Sequence, residues 1–271
     1  MNDQLPTRPH GPYLLDNRDD QARSRFDALA GLYNTVTFEH VTRLGIVPGW
    51  RCWEVGAGGP TVPGWLAAQV GPTGRVLATD LDVRWLDDAT SRRFDAEAHD
   101  VAHDDPPSGP FDLVHARLVL VHVPERDRAL ARMVQALRPG GWLLVEDFDT
   151  ELLLACPDPD TELEHTANTI RLGFHELLRR RGVDLRYGRK LPRLLRDAGL
   201  VDVAADAYTA FDVDDAVRLE LANVLQVRAQ LVEHGLASAE QVRAHLAALE
   251  EGHLRVAMPP LVSAWGRLST G

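Results

Sequence analysis

A glycine-rich turn between two apolar stretches constrains the fold of this chain more than any other feature. Arg51–Val55 has the composition of a short strand, and Gly56–Gly59 cannot continue it. Pro63–Val70 then has the length and apolar spacing of a helix, and a second strand is predicted over Arg75–Thr79. A strand, a turn and a helix repeated in this order predict the βαβ unit of an open parallel sheet, whose ligand lies beyond the carboxyl ends of the strands.

The residues around this turn indicate a nucleoside ligand. Glycines let the backbone approach a ligand closely, and the N–H groups at the start of the following helix attract negative charge. The second strand ends in Asp80, where a carboxylate can accept both hydrogen bonds of a ribose diol. A dinucleotide-binding fingerprint would need a third glycine at the position of Thr61. Glu54, two residues before the first glycine, suits the ammonium of a methionine moiety better than a pyrophosphate.

Together these segments resemble the motifs of class I S-adenosylmethionine-dependent methyltransferases. Glu54-Val55-Gly56-Ala57-Gly58 is similar to the family's first motif, and Asp80 falls on its ribose-binding acid. The other matching segments are His99-Asp100-Val101, Phe111–Ala116 and Leu137–Val145, which resemble the turn that meets the adenine amino group, the fourth strand and the turn into the fifth. Pro60 stands where the motif often has a further glycine, and proline is tolerated near a helix start.

The resemblance implies an α/β fold with a Rossmann-like seven-stranded sheet, in the strand order 3-2-1-4-5-7-6 with strand 7 antiparallel. Residues 1–48 would form an N-terminal helical segment that acts as a lid, and residues 49–212 the Rossmann-like methyltransferase core. Residues 213–256 would form a helical insertion that covers the active site, and residues 257–271 the last strand of the core.

Local patterns predict the remaining elements. Helical spacing predicts one or two helices over Asp20–Leu44, and two capping boxes, Thr161-x-x-Glu164 and Ser238-x-x-Gln241, mark further helix starts. The run Arg179–Arg181 is interpreted as the solvated end of a helix, with contact to an acidic substrate as the alternative. Other predicted elements are helices over Arg126–Leu137, Arg189–Ala198 and Ala216–His234 and strands over Val201–Phe211 and Leu261–Trp265.

The cofactor implied by the resemblance is S-adenosyl-L-methionine. Its predicted binding residues are Glu54, Gly56, Ala57, Gly58, Asp80, Leu81, Asp100, Val101, Ala116 and Tyr13. Tyr13 or Tyr33 could lie near the sulfonium, since an aromatic face favours a cation. Packing against the edge of the sheet is the alternative for both tyrosines.

Two histidines are candidate catalytic residues. His115 lies at the end of the fourth strand and His122 just beyond it, near the predicted reacting edge. Methyl transfer from a sulfonium depends mainly on positioning, but a base helps when the acceptor must lose a proton. A packed or solvated imidazole is the alternative for each histidine. Asp147 and Asp149, at the end of the fifth strand, could orient the acceptor.

Composition narrows the class of partner. The net charge of −11 opposes attraction to phosphate backbones, so neither nucleic acid nor an anionic membrane is expected as a partner. No apolar run approaches the ~20 residues of a membrane span, and the first residues lack the pattern of a signal peptide, so a cytoplasmic location is expected. Cys52 and Cys156 have no metal-binding spacing, and no metal site is predicted.

The sequence therefore leads to the hypothesis of S-adenosylmethionine-dependent methyl transfer to a small-molecule acceptor in bacterial specialised metabolism, with a homodimer as one possible assembly. Two alternatives remain open. The same cofactor could serve cyclisation or another reaction that transfers no methyl group, or the chain could bind a ligand without catalysis.

Overall fold

The computed structural model describes residues 14–15, 21–86, 93–151 and 161–271. Its centre is a seven-stranded sheet in the order β3-β2-β1-β4-β5-β7-β6. The strands are Arg51–Val55 (β1), Arg75–Asp80 (β2), Asp95–Ala98 (β3), Phe111–Arg117 (β4), Leu137–Phe148 (β5), Leu200–Tyr208 (β6) and Leu261–Leu268 (β7). β7 is antiparallel to β5 and β6, and the other neighbouring pairs are parallel. The predicted sheet order and the antiparallel seventh strand are confirmed.

Seven α-helices surround the sheet within these ranges. They are Gln21–Arg43 (α1), Thr61–Val70 (α2), Arg126–Gln135 (α3), Thr161–Arg180 (α4), Tyr187–Asp197 (α5), Asp214–Glu233 (α6) and Ala239–Glu250 (α7). Short 3-10 turns cover Val83–Leu86 and Leu120–His122. None of these helices is long and apolar enough to cross a membrane.

Several element ends differ from those predicted. α3 ends at Gln135 and β5 already begins at Leu137, because Leu137 pairs with Phe111 of β4. The predicted turn after Leu137 is instead an irregular part of β5, where the pairing with β4 shifts register. β6 ends at Tyr208, and Phe211 forms only an isolated bridge with Ala257.

The two faces of the sheet carry separate apolar cores. On one face, Leu130 and Met133 of α3 and Leu191 and Leu195 of α5 pack with alternate residues of the central strands. On the other face, α2 and the C-terminal part of α1 pack over a second set of strand residues that includes Cys52. Cys156 and the side chain of Thr161 lie outside the described residues.

A layer of helices lies beyond the carboxyl ends of the strands. α1, α4, α6 and α7 pack together through buried residues that include Leu32, Ala167, Leu219 and Leu249. The predicted capping box starts α7, since Gln241 N–H donates to Ser238 Oγ and Ser238 N–H donates to Gln241 Oε1. This layer closes the space above the sheet edge at which the ligand site is predicted.

Candidate active site

A cavity of about 2230 Å³ lies between the carboxyl ends of the strands and the helical layer. Pockets for one small ligand typically measure about 300–1000 Å³, so this cavity has room for two ligands. Its lining has two parts. The turn end consists of the segments after β1, β2 and β3, and the helical end consists of α1, α4, α6 and the segment after β4.

At the turn end, the glycines after β1 are held in backbone conformations that favour glycine. Gly56 and Gly58 have φ angles of 62° and 61°. A Cβ atom at Gly56 would lie 2.4 Å from Val119, and one at Gly58 would lie 2.8 Å from the ring of Phe26. The turn therefore needs glycine at both positions for conformation and for space. Pro60 precedes α2 and its carbonyl accepts from Gly64 N–H at 2.9 Å, so it does not disturb the helix start.

Asp80, at the end of β2, has a carboxylate in a fixed orientation. Gly58 N–H donates to Asp80 Oδ2 at 2.9 Å, and Asp82 N–H donates to Oδ1 at 3.1 Å. Burial raises the pKa of Asp80 despite these two bonds. Further hydrogen-bond donors from a ligand would therefore stabilise its charged form.

The acidic turn after β3 completes the turn end. Asp100 Oδ1 accepts from Ala102 N–H at 3.0 Å, and its Oδ2 lies 3.0 Å from His103 Nδ1. Val101 and Leu81 also line the cavity. Ala116, by contrast, is buried in the core beside β1 and β5 and is not part of the lining, and Tyr13 lies outside the described residues.

Glu54 ends a buried chain of charged groups that crosses the sheet. Glu54 Oε2 lies 2.6 Å from His115 Nδ1, and His115 Nε2 lies 3.2 Å from Glu146 Oε2. Glu146 Oε1 in turn lies 3.2 Å from His40 Nδ1, and His40 Nε2 lies 2.9 Å from Asp206 Oδ1. The chain thus runs from the cavity wall, where Glu54 lies, to the half-exposed Asp206 on β6.

The environment of His115 differs from that of a general base. Burial opposes a charge on this imidazole, but Glu54 and Glu146 outweigh it and raise the pKa of His115 to about 9. His115 is therefore protonated at neutral pH, with both ring nitrogens donating to carboxylates. It is fully buried and not part of the cavity lining, so this geometry favours holding Glu54 in place over direct contact with a substrate.

His122 does lie on the cavity wall, in the short turn after β4. Burial, together with the charges of Arg25 and Arg126, lowers the pKa of His122 to about 4. The imidazole is therefore neutral at pH 7 and can accept a proton. It is a weaker base than the near-neutral imidazole that a solvated position would provide.

Three other residues named in the sequence analysis lie away from the cavity. Asp149 forms an ion pair with Arg189, and Asp147 is fully buried, where desolvation raises its pKa. Neither residue lines the cavity, so the suggestion that they orient the acceptor is wrong. Tyr33 packs edge-on against Phe148, with ring centroids 5.6 Å apart, as in the packing alternative.

The helical end contains residues that the sequence did not single out. Arg25 of α1, Arg117 at the end of β4 and Arg171 of α4 line it, together with His175. Arg25 and Arg171 are almost fully buried. The helical segments that carry Arg25 and Arg171 show no sequence motif. Arg117 is the last residue of β4, and this position at a strand end does predict proximity to a ligand.

Leu118, which directly follows Arg117 at the end of β4, has a strained backbone. Its φ angle is 57°, which is uncommon for a residue other than glycine. Its N–H donates to the Glu146 carbonyl at 2.7 Å, and its side chain lines the cavity. Such strain concentrates at functional sites, which agrees with the position of this cavity.

Known proteins resemble this chain in both sequence and fold. The sequence model of the methyltransferase domain family matches residues 38–205. The ubiquinone/menaquinone biosynthesis C-methyltransferase UbiE of Ralstonia pickettii is 28% identical over 136 residues, which cover 46% of this chain and 56% of that protein. Methyltransferase str2 of Strobilurus tenacellus is 29% identical over 148 residues, which cover 51% of this chain and 50% of that protein. The chain thus spans about half the length of these curated relatives.

Among solved structures, phosphoethanolamine N-methyltransferase 2 of Haemonchus contortus, in complex with phosphomonomethylethanolamine and S-adenosylhomocysteine, is similar with a TM-score of 0.57 at 17% identity. The match covers 95% of this chain and 59% of that one, and it shows the fold. Because the family match extends over more than half of the sequence, and the sheet has the strand order expected of that family, the chain belongs to the class I S-adenosylmethionine-dependent methyltransferases.

Proposed function

We propose that this chain transfers a methyl group from S-adenosyl-L-methionine to a small-molecule acceptor. The observation that carries the proposal is the arrangement of Glu54, Gly56, Gly58 and Asp80 on one wall of a cavity large enough for two ligands. When bound, this cofactor supplies an electrophilic methyl group on a sulfonium. The relatives described above are themselves named methyltransferases, which supports methyl transfer over cyclisation or ligand binding alone.

The residues at the turn end fit this cofactor. Asp80, oriented by two backbone N–H groups, can accept hydrogen bonds from a ribose diol. Glu54 presents an acid that can hold an ammonium group, and His115 keeps that acid in position. Val101 and Leu81 offer apolar surface for a purine ring.

The helical end would hold the acceptor. Its apolar residues can exclude water from the acceptor, which an in-line displacement requires along with correct positioning. These residues are Leu29, Leu118, Phe148, Phe174, Leu178 and Met258. His122, neutral at pH 7, is the candidate base for an acceptor that must lose a proton.

The class of acceptor follows from charge and from enclosure. A net charge of −11 opposes attraction to a nucleic acid, and the cavity lies between the sheet edge and the helical layer, so a small molecule is the acceptor that fits best. The division into residues 1–48, 49–212, 213–256 and 257–271, the cytoplasmic location, the homodimer and the role in bacterial specialised metabolism stay predictions.

Two measurements test the proposal. Isothermal titration should show binding of S-adenosylmethionine and of its demethylated product. Incubation with cofactor labelled in the methyl group and a low-molecular-weight metabolite extract should then place the label in a small molecule. Absence of cofactor binding would refute the proposal, and label found only in protein or nucleic acid would refute the assigned acceptor class.

A further inference from the structure

We propose that the methyl acceptor is an organic acid with an apolar body, and that Arg117 binds its anionic group. This inference rests on the proposed function and names the class of its substrate. It starts from the contrast between an acidic chain, with a net charge of −11, and the five arginines that line the helical end of its cavity, which are Arg25, Arg117, Arg171, Arg180 and Arg181.

The sheet order separates the two ends of the cavity. β2, which ends at Asp80, and β3, which is followed by the turn that carries Asp100, lie on one side of β1. β4 and β5, which end at Arg117 and Phe148, lie on the other side. Carboxylates therefore line the part of the cavity assigned to a cationic cofactor, and guanidinium groups line the part left for the acceptor.

Arg117 has capacity for a further anionic partner. Its Nη1 donates to Thr37 Oγ1 and its Nη2 to Asn34 Oδ1, both at 2.9 Å, and both acceptors are neutral. Within the described ranges no carboxylate lies within ion-pairing distance of its guanidinium. A guanidinium has five N–H donors in a planar fork that matches a carboxylate, so donors remain after these two bonds.

The nearest acids are already engaged by other cations. Glu146 accepts from Thr37 and is in contact with both His115 and His40, and Glu54 is in contact with His115. If Glu54 also receives the cofactor's ammonium, the charge of Arg117 is left without a dedicated counterion. Burial lowers the pKa of Arg117, which is the mark of a cation that an anionic ligand would stabilise.

The surroundings favour an anion as well. Of the buried charged residues that α1, α4 and α6 contribute to the lining, Arg25 and Arg171 are cations and Glu220 is the anion, and Glu220 Oε2 lies 3.4 Å from Arg171 Nη2. The imidazoles of His122 and His175 have pKa values lowered to about 4, by burial first and by neighbouring arginines second. Both imidazoles are neutral at pH 7. The positive charge in this part of the cavity therefore comes from the arginines, which repel a cationic ligand and attract an anionic one.

An amide-bearing side chain adds a polar contact for the acceptor. Asn223 of α6 lines the cavity, and its buried Oδ1 accepts no hydrogen bond from any residue that the structure describes. A buried acceptor without a donor is unfavourable, so a ligand that carries a hydroxyl or N–H group would satisfy it. The remaining wall is apolar, which suits a hydrocarbon or aromatic body.

Arg117 also holds α1 on the sheet through Thr37 and Asn34, so the experiment must separate binding from folding. The probes are matched pairs of aromatic carboxylic acids and their primary amides, such as 2-naphthoic acid and 2-naphthamide, titrated at pH 7.5 in the presence of S-adenosylhomocysteine. Each pair has the same shape and differs in charge, so a difference in dissociation constant reports recognition of the anion.

The wild-type protein should bind the acids at least about tenfold more tightly than the amides, as expected for hydrogen bonds to a charged group. Arg117→Gln should remove this preference, and Arg117→Lys, which keeps the charge, should retain part of it. Arg43→Gln is the matched control, because it removes the same charge from an exposed position on α1 outside the cavity lining and should leave the preference intact.

Equal or weaker binding of the acids by the wild-type protein would overturn the inference, as would a preference that survives in Arg117→Gln. Failure of every acid in the set to bind would count against it in the same way. If Arg117→Gln does not fold, the comparison of acids and amides with the wild-type protein still decides. Binding of S-adenosylhomocysteine is measured first, so its failure would refute the proposed function rather than the class of acceptor.

Discussion

His115 Nδ1 lies 2.6 Å from Glu54 Oε2, and the two residues sit directly opposite each other on β4 and β1. Glu54 reaches the cavity wall, whereas His115 is fully buried behind it. With the imidazole protonated, this charge-assisted contact fixes the position of the carboxylate. We therefore propose that His115 is a positioning residue, which would act on the cofactor through Glu54.

The first prediction is that Glu54 and His115 are coupled in cofactor binding. Glu54→Gln should weaken S-adenosylmethionine by about ten- to a hundredfold, since hydrogen bonds to charged groups contribute ~1.5–3 kcal/mol. His115→Gln should also weaken it, but should add little in the Glu54→Gln background. Calorimetric titration of both single variants and the double variant measures this coupling.

A purely structural role for His115 would give the same loss of affinity in both backgrounds, which would contradict the coupling. His40→Gln is a suitable control. It removes the next imidazole of the same buried chain, which contacts Glu146 and Asp206 and does not contact Glu54. Its effect on cofactor affinity should therefore be smaller than that of His115→Gln.

The second prediction concerns Asp80. Asp80→Ala should weaken S-adenosylmethionine at least about tenfold, because the ribose contacts are lost. Since Asp80 also accepts from Gly58 and Asp82, the substitution could act by loosening the turn. A 2′-deoxyribose analogue of the cofactor separates these causes. The wild-type protein should bind the analogue more weakly than the cofactor, whereas Asp80→Ala should bind the analogue and the cofactor with about equal affinity. Undiminished affinity in Asp80→Ala would refute the ribose assignment.

The βαβ unit at the start of the sheet was predictable because its signals are local, whereas the full strand order and the antiparallel β7 were implied by the resemblance to the methyltransferase family. Glycine turns, strand-length apolar runs and the acid at the end of β2 lie within the stretch from Arg51 to Asp80, and a parallel sheet follows from their order. The capping box at Ser238 was readable for the same reason. Helix bounds were less predictable where the next strand begins directly after the helix. The helix predicted to end at Leu137 ends at Gln135, because Leu137 already belongs to β5.

The charged parts of the site depend on register and on long-range packing. Glu54 and His115 meet only because β1 and β4 pair with these two residues opposite each other, 61 positions apart. Arg25 approaches Gln226 across 201 positions, from a helix without a motif. The pKa of His122 depends on burial and on Arg25 and Arg126, and no local pattern around residue 122 indicates this.

The third prediction tests the glycine turn. Gly56→Ala should sharply reduce both stability and cofactor affinity, because its φ angle is 62° and the new Cβ would lie 2.4 Å from Val119. Gly64→Ala is the matched control: this glycine lies inside α2 with nothing within 4 Å of the added Cβ. It should stabilise the protein by about 0.4–1 kcal/mol and leave affinity unchanged. Thermal unfolding and calorimetry check both; a Gly56→Ala variant as stable as the wild type would show that the turn adapts.

The fourth prediction is a fall in stability at alkaline pH. The pKa of His115 is raised from 6.5 to about 9 in the folded state, so its contribution is complete below pH 6.5 and is lost as the pH rises through 9. The free energy of unfolding should fall by roughly 2 kcal/mol between pH 7 and 9, at about 1.4 kcal/mol per pKa unit. Denaturant titration measures this. Near pH 9 Cys52 adds to the fall, because burial raises the pKa of its thiol in the folded state and the thiol ionises near its ordinary pKa once the chain unfolds. The buried Tyr33 and Tyr187 contribute above that range.

His115→Gln supplies the comparison for this pH dependence. The variant should be less stable than the wild type at pH 7, and the slope between pH 7 and 9 should largely disappear. The slope that remains would come from His40, whose pKa Glu146 and Asp206 raise against the effect of burial, and from the thiol of Cys52 near pH 9. A wild-type protein with constant stability over this range would show that His115 is neutral in the folded state.

The last prediction concerns His122, one of the four histidines that line the cavity, which lies in the short turn after β4. If the acceptor must lose a proton, His122→Ala should lower kcat by about 10²–10⁴-fold and leave cofactor affinity nearly unchanged, because the residue would touch the acceptor and not the nucleoside. His234→Ala, an exposed histidine at the end of α6, is the control and should keep full turnover.

The pH profile distinguishes this role from simple packing. Because burial and the charges of Arg25 and Arg126 lower the pKa of His122 to about 4, the acid limb of kcat should lie near pH 4 and not near 6.5. Removing one of those charges, as in Arg126→Gln, should move that limb towards neutral pH, since the imidazolium would then be repelled less. A His122→Ala variant with full turnover from mildly acidic to mildly basic pH would show that positioning alone carries the reaction, and that the imidazole only packs at the cavity wall.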